Sequence, residues 1–145
     1  MVNKDFVNRK IKLIQEDLAC LEPMSHLSLE QLAQDSISYA ATERLLERIV
    51  TRAIDINRHL IAELGAGTEK MRTYEDTFLA LAELKVYSVD FAKSIAPSAG
   101  LRNILVHEYD SVDMNKIYLS VGKALEQYAA YCKFLLEFLD SAIVN

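Results

Sequence analysis

Apolar residues recur at helical spacing along almost the whole chain, and the breaks between runs are few. Between Val2 and Leu21, the residues Phe6, Ile11, Leu13, Ile14, Leu18 and Leu21 fall three or four apart, which predicts one amphipathic helix. Pro23 ends that run. Ser25 or Ser28 then offers an N-cap, with Glu30 and Gln31 in the first turn beyond it. The next run, LSLEQLAQDSISYAATERLLERIVTRAIDINRHLIAELG, holds no Gly or Pro between Leu29 and Leu64, and Gly65 suits its C-terminal cap. A helix of that length would span on the order of 50 Å, against roughly 30 Å for a small domain. The pattern therefore predicts a helix that bends or protrudes into a partner. Leu32, Ile37, Leu45, Ile49, Ile56 and Leu60 lie along one side, and Leu46, Val50, Ile54 and Ile61 widen the stripe. A helix apolar over so much of its girth is covered on two sides, which points to self-association.

Beyond the GAGTEKMR loop, Thr73 with Asp76 three residues on forms a capping box for a short helix over about 74–86. A break near Ser88 precedes a helix over about 89–107, which Pro97 kinks or splits near Ala96. A turn is expected over 110–113. Asp113 then caps a last helix with Ile117, Val121, Leu125, Tyr128, Cys132, Leu135 and Leu139 on its buried stripe. The whole reads as all-α, an up-and-down bundle of four to five helices with one very long helix. Residues 1–145 fit one domain on size.

Composition narrows the picture. The 145 residues are 51% hydrophobic and 26% charged, a folded globular balance. Gly (4) and Pro (2) are together roughly 4% of the chain, against an average of roughly 12%. β-sandwiches and barrels spend those residues at their turns, so this scarcity argues against them. Sixteen basic residues against 21 acidic give a net charge of −5, unlike a protein that coats nucleic acid through many phosphate contacts. A local basic pocket remains compatible with that balance. Cys20 and Cys132 have no metal-binding or redox spacing and fit a reduced cytoplasmic protein. MVNKDFVNRK lacks the apolar core of a signal peptide, and no apolar run reaches the roughly 18 residues of a membrane span.

Three histidines are present. His26 and His59 have no partner at metal-ligand spacing, and ordinary packing or solvation accounts for each. His107 differs because AGLRNILVHEYDSVD crowds Arg102, Asn103, His107 and Tyr109 into eight residues. Asn103 and His107, at i and i+4, share a helix face. Arg102 and Tyr109 are two turns apart. Arg102 lies about 140° from His107 around the axis, but its long side chain reaches back toward that face. Leu101, Ile104 and Leu105 supply the side that packs. Histidine exchanges protons near neutral pH, and arginine holds phosphate with two parallel hydrogen bonds. Together they suit metal-independent RNA cleavage by 2′-hydroxyl attack. One histidine cannot serve as base and acid at once, whereas a symmetric dimer brings two. The plain alternative is that Arg102 and His107 only stabilise a helix end. Arg44, Arg48, Arg52 and Arg58 on the long helix likewise either line a groove or meet a partner protein, or are simply solvated and paired along the helix, as Arg48 can be with Glu43, Glu47 and Asp55 nearby.

RNILVHEY resembles the signature of the HEPN superfamily, and specifically of HepT-like toxins, in which Arg, a polar residue, His and x-Tyr stand where Arg102, Asn103, His107 and Tyr109 stand here. YAATERLLERIVTRAIDINRHLIAELG is similar to that family's long second helix and TYEDTFLALAEL to its short third, so the likeness runs from about Ser38 to Leu136. Leu101 replaces a usual Phe, and Pro97 sits in the helix that presents the motif. The resemblance implies a cytoplasmic, dimeric or larger ribonuclease toxin of a toxin–antitoxin pair. It implies an RNA substrate such as tRNA or mRNA, no metal or cofactor, and a nucleotidyltransferase antitoxin that transfers AMP to Tyr109. Carried over, Arg102, Asn103 and His107 are the catalytic set. An AMP beside Arg102 would occupy the place RNA phosphate needs and offset its attraction. Two other readings stay open: a non-catalytic helical partner that binds nucleotide or substrate for a nucleotidyltransferase, and a plain helical scaffold.

Overall fold

The computed structural model describes residues 1–65, 71–107, 113–141 and 144. Those residues form α1 (Lys4–Leu21), a 3-10 turn (Glu22–His26), α2 (Leu29–Gln34), α3 (Ser36–Leu64), α4 (Tyr74–Glu83), α5 (Val89–Ile95), α6 (Ser98–His107) and α7 (Met114–Leu139), with no strand among them. The bundle expected from the apolar periodicity is present, with its five runs subdivided at two points. Pro97 splits α5 from α6, as its missing N–H and ring demand. The other division was not expected. The long run breaks at Asp35, which takes an extended backbone (φ −107°, ψ 92°) and accepts a hydrogen bond from the Ser38 amide, restarting the helix as α3. α2 thereby turns away from α3 and buries Leu32. Ile37, assigned to the buried stripe, is 82% exposed, because it follows that break.

The caps are written locally. Ser28 with Gln31, and Thr73 with Asp76, form complete capping boxes. Gly65 closes α3 in the left-handed region at φ 75°. α4 ends sooner than the 74–86 run suggests. Its terminus folds back with Val86 N–H donating to Leu81 C=O (3.0 Å) and Lys85 N–H to Ala82 C=O (3.1 Å). This Schellman pattern puts Lys85 at φ 68°, where glycine is usual. The turn expected over 110–113 falls mostly outside the described residues, but Asp113 does cap α7, accepting from the Asn115 amide.

α3 is the spine, packing against α1, α4, α6 and α7. The α7 stripe is buried as expected at Ile117, Val121, Tyr128, Cys132, Leu135 and Leu139, with Leu125 half-buried. Two polar features fix the register of the spine. On its α1 side, the buried Asp17 carboxylate pairs with Arg52 and, at 3.2 Å, with Arg48. On the other side, the Tyr131 hydroxyl donates to Asn57 Oδ1 (2.6 Å), and Asn57 Nδ2 donates to Thr77 Oγ1 (3.2 Å). The Thr77 hydroxyl in turn donates to the Tyr74 carbonyl (2.6 Å). Asn57 and Tyr131 are fully buried. The Tyr131 hydroxyl also reaches the Ala53 carbonyl (3.1 Å), so truncating Asn57 takes one hydrogen bond from each neighbour without leaving either bare, and Asn57→Ala should cost about 1–2 kcal/mol in denaturant unfolding. A loss under about 0.5 kcal/mol would show that the chain of bonds carries no stability.

Burial also pushes the Tyr87, Tyr128 and Tyr131 hydroxyls above the ordinary phenol range and the Cys132 thiol from 9.0 up to about 12. These groups bind protons more tightly folded than unfolded. The contribution of Cys132 is intact below about pH 9 and is lost as pH rises toward about 12, and that of the tyrosines begins to be lost only above about pH 10. Unfolding free energies from urea melts should therefore be level up to about pH 9 and fall between about pH 9 and 11, by up to about 1.4 kcal/mol per pH unit for each group titrating. A flat profile over that range would contradict the burial.

Candidate active site

The motif-bearing helix α6 is held at its start. Ser98 Oγ donates to the Ile95 carbonyl (2.7 Å) and lies 2.6 Å from the Tyr128 hydroxyl of α7. Ala99, Leu101 and Leu105 face the core. Leu101, in place of the family's Phe, is thus an apolar anchor. This packing leaves Asn103 and His107 exposed on one face, one turn apart. Arg102 is half-buried between that face and the core. Its Nε donates to Thr51 Oγ1 of α3 (3.2 Å), and its guanidinium lies 5.2 Å from the Tyr74 ring centroid of α4. The two contacts use one of the five guanidinium N–H donors and one face of its plane, leaving the terminal nitrogens for an anion.

The structure therefore brings Arg102, Asn103 and His107 to one edge of α6. Tyr109 lies outside the described residues. Neither Thr51 nor Tyr74 stands out in the sequence: both reach Arg102 from other helices, so only the fold reveals them. A groove of about 660 Å³ opens beside the motif between α3, the segment leading into α4, and α6, with Arg58, Arg72, Tyr74 and Asn103 on its walls.

The other candidates resolve plainly. His26 pairs with Glu22 at 2.8 Å, a partner one turn back. His59 Nε2 accepts from the Asn3 amide (2.9 Å) and its ring tilts against Phe6. Arg44 pairs with Glu47 as local spacing suggests. Arg48 and Arg52 turn instead to Asp17 on α1, and Arg58 faces the groove.

Residues 14–135 match the family described as Ribonuclease HepT-like. The chain belongs to the HepT-like ribonuclease family. A relative from Aphanizomenon flos-aquae (strain 2012/KM1/D3), the tRNA nuclease HepT, is 36% identical over 133 residues, covering 92% of this chain and 89% of that protein. Among solved structures, a tri-AMPylated HEPN toxin of Shewanella oneidensis in complex with an MNT antitoxin superposes with a TM-score of 0.79 at 22% identity, over 92% of this chain and 98% of that one. The cytosolic protein YutE of Bacillus subtilis, of unknown function, superposes with a TM-score of 0.81 at 16% identity, over 99% of this chain and 95% of that one. At such identities these two likenesses speak for the fold. No helix among the described residues is long and apolar enough to cross a membrane.

In a HepT-like ribonuclease, a guanidinium seated by one hydrogen bond and one aromatic face is pre-aimed, and its aim depends on that seat. Tyr74→Leu and Thr51→Val should each lower the rate of RNA cleavage at saturation on the order of 10-fold. Tyr74→Phe and Thr51→Ser, which keep the ring and the hydroxyl, should stay near wild type. An unchanged saturated rate in both disabling variants would remove the seat from the account.

Proposed function

We propose that this chain is the RNA-cleaving toxin of a toxin–antitoxin pair, a cytoplasmic, metal-independent endoribonuclease acting on tRNA or mRNA. The observation that carries the reading is the pre-aimed Arg102 guanidinium beside the exposed Asn103–His107 edge, in a chain 36% identical to a tRNA nuclease. His107 takes the proton of a ribose 2′-hydroxyl. The 2′-oxygen attacks the adjacent phosphorus, the bond to the 5′-oxygen breaks, and a 2′,3′-cyclic phosphate forms. Arg102 offsets the charge that gathers on the phosphoryl oxygens, and Asn103 orients the histidine or the phosphate. The departing 5′-oxygen needs a proton, which the imidazole of a second copy supplies in a homodimer with two motifs across one cleft.

The Shewanella toxin is AMP-modified in complex with its antitoxin. By the same logic, a nucleotidyltransferase antitoxin would act here by placing AMP on Tyr109, two residues past His107. The added phosphate competes with RNA for Arg102.

The test is cleavage of tRNA and mRNA by unmodified protein in EDTA. Wild type should cut, and His107→Ala should lose at least about 100-fold in rate with its fold intact by circular dichroism. Cleavage by His107→Ala at the wild-type rate would sink the catalytic assignment. Unmodified wild type that binds nucleotide without cutting RNA would replace this reading with the non-catalytic partner.

A further inference from the structure

The groove beside the motif combines two kinds of wall. Arg58 of α3 and Arg72 before α4 are both exposed, and neither side chain has an ion-pair partner among the described residues. Ile61, Met71 and Tyr74 give it an apolar floor, and no carboxylate lines it among the described residues. In a chain of net charge −5, such a patch concentrates positive potential where the surroundings do not. Three amides around the start of α4 are already taken within the capping box. Asp76 accepts from the Arg72 and Thr73 amides, both at 3.0 Å, and Thr73 Oγ1 accepts from the Asp76 amide. The positive charge that the described residues offer an anion in the groove is that of the two guanidinium groups. The hydrogen bonds from the Arg72 and Thr73 amides, with a smaller part from the positive charge of Arg72, hold the Asp76 carboxyl below the usual range.

Asn103 belongs to both places. It lines the groove, and it stands one turn from His107 on the exposed edge of α6. A strand whose phosphate sits at Arg102 would thus run on past Asn103 into the groove. Paired guanidinium groups over an apolar, aromatic floor suit one phosphate and one unstacked base or ribose of a single strand.

We propose that the Arg58–Arg72–Tyr74 groove is a subsite for a nucleotide of the RNA strand adjacent to the cleaved bond, with the two arginines clamping phosphate. This rests on the ribonuclease reading of the motif and gives that reading a direction along the strand. The subsite governs grip on the RNA, not the chemistry at His107.

The experiment measures binding of a fluorescent single-stranded RNA of about twelve nucleotides by anisotropy, across a salt series, in a His107→Ala background that cannot cut. Arg58→Gln combined with Arg72→Gln is compared with Arg9→Gln combined with Lys12→Gln, an equal charge change at exposed positions on α1. The groove pair should weaken binding about 10-fold or more at moderate salt. It should also flatten the slope of log K against log salt by about 0.7, one phosphate's worth on a single strand. The α1 pair should move neither by more than about 2-fold. Equal affinities and slopes in the two double variants overturn the subsite, while EDTA-resistant cleavage by wild type leaves the ribonuclease reading standing. Binding of free AMP that is lost in the groove pair, with RNA affinity unchanged, also overturns it in favour of a mononucleotide site. If the His107→Ala parent binds no RNA and wild type cuts none, both readings fall together.

Discussion

A directed run of hydrogen bonds crosses the middle of the molecule, from the Tyr131 hydroxyl through the Asn57 amide and the Thr77 hydroxyl to the Tyr74 carbonyl. Each step has one sensible donor and one acceptor, and every member but the last carbonyl sits on a side chain that is at least nine-tenths buried. A buried network of this kind tolerates no slip, because shifting any helix by a turn would strand its polar groups in an apolar interior. It fixes α4 against α3 and α7. It therefore also fixes Tyr74, the first residue of α4, whose ring carries Arg102. Apolar packing is non-directional and does not by itself fix one register of α4. The polar run selects the one in which the guanidinium has its platform.

The functional edge follows from that choice. α6 contributes its apolar side to the core and is pinned at its start by Ser98 against Tyr128. Asn103 and His107 are then left in solvent, and Arg102 comes off the boundary between the two sides. A long cationic side chain at such a boundary would ordinarily lose several rotamers on being held in one place. Here the Thr51 hydroxyl and the Tyr74 ring have already fixed it before any anion arrives. Less ordering is left for the phosphate to impose, and that is the physical content of preorganisation at this site.

Much of this was legible along the chain because it is local. The Thr73–Asp76 box, the Pro97 split and the left-handed Gly65 each involve residues within four positions of one another, and each appears where the spacing put it. The Arg102–Asn103–His107 edge was legible for the same reason. The break at Asp35 was less so, since an aspartate followed by serine inside a polar stretch serves equally as helix surface or as cap, and only the turn of α2 onto the core decides. Arg48 and Arg52 illustrate the harder limit. Local carboxylates stood within a turn or two of both, yet both chose Asp17, more than thirty positions away, because a buried carboxylate needs its charge answered more than exposed ones do.

The same limit explains why Thr51, Asn57, Thr77 and Tyr74 attract no notice in the sequence. Each is an ordinary residue on an ordinary helix, and its role exists only through partners on other helices. A motif read from the chain names candidate groups, while the fold supplies the groups that hold them in place. Arg102 and His107 are separated by about 140° around one helix, an angle that by itself points them apart. What reconciles that angle with a shared task is the seat on α3 and α4, which sets the direction from which the guanidinium approaches. The seat also puts the Tyr74 ring at the boundary between Arg102 and the groove of Arg58 and Arg72. One aromatic ring therefore meets both the Arg102 guanidinium and the groove of Arg58 and Arg72. The seat of Arg102 and the wall of the groove are then not independent features of this bundle but two consequences of where α4 begins.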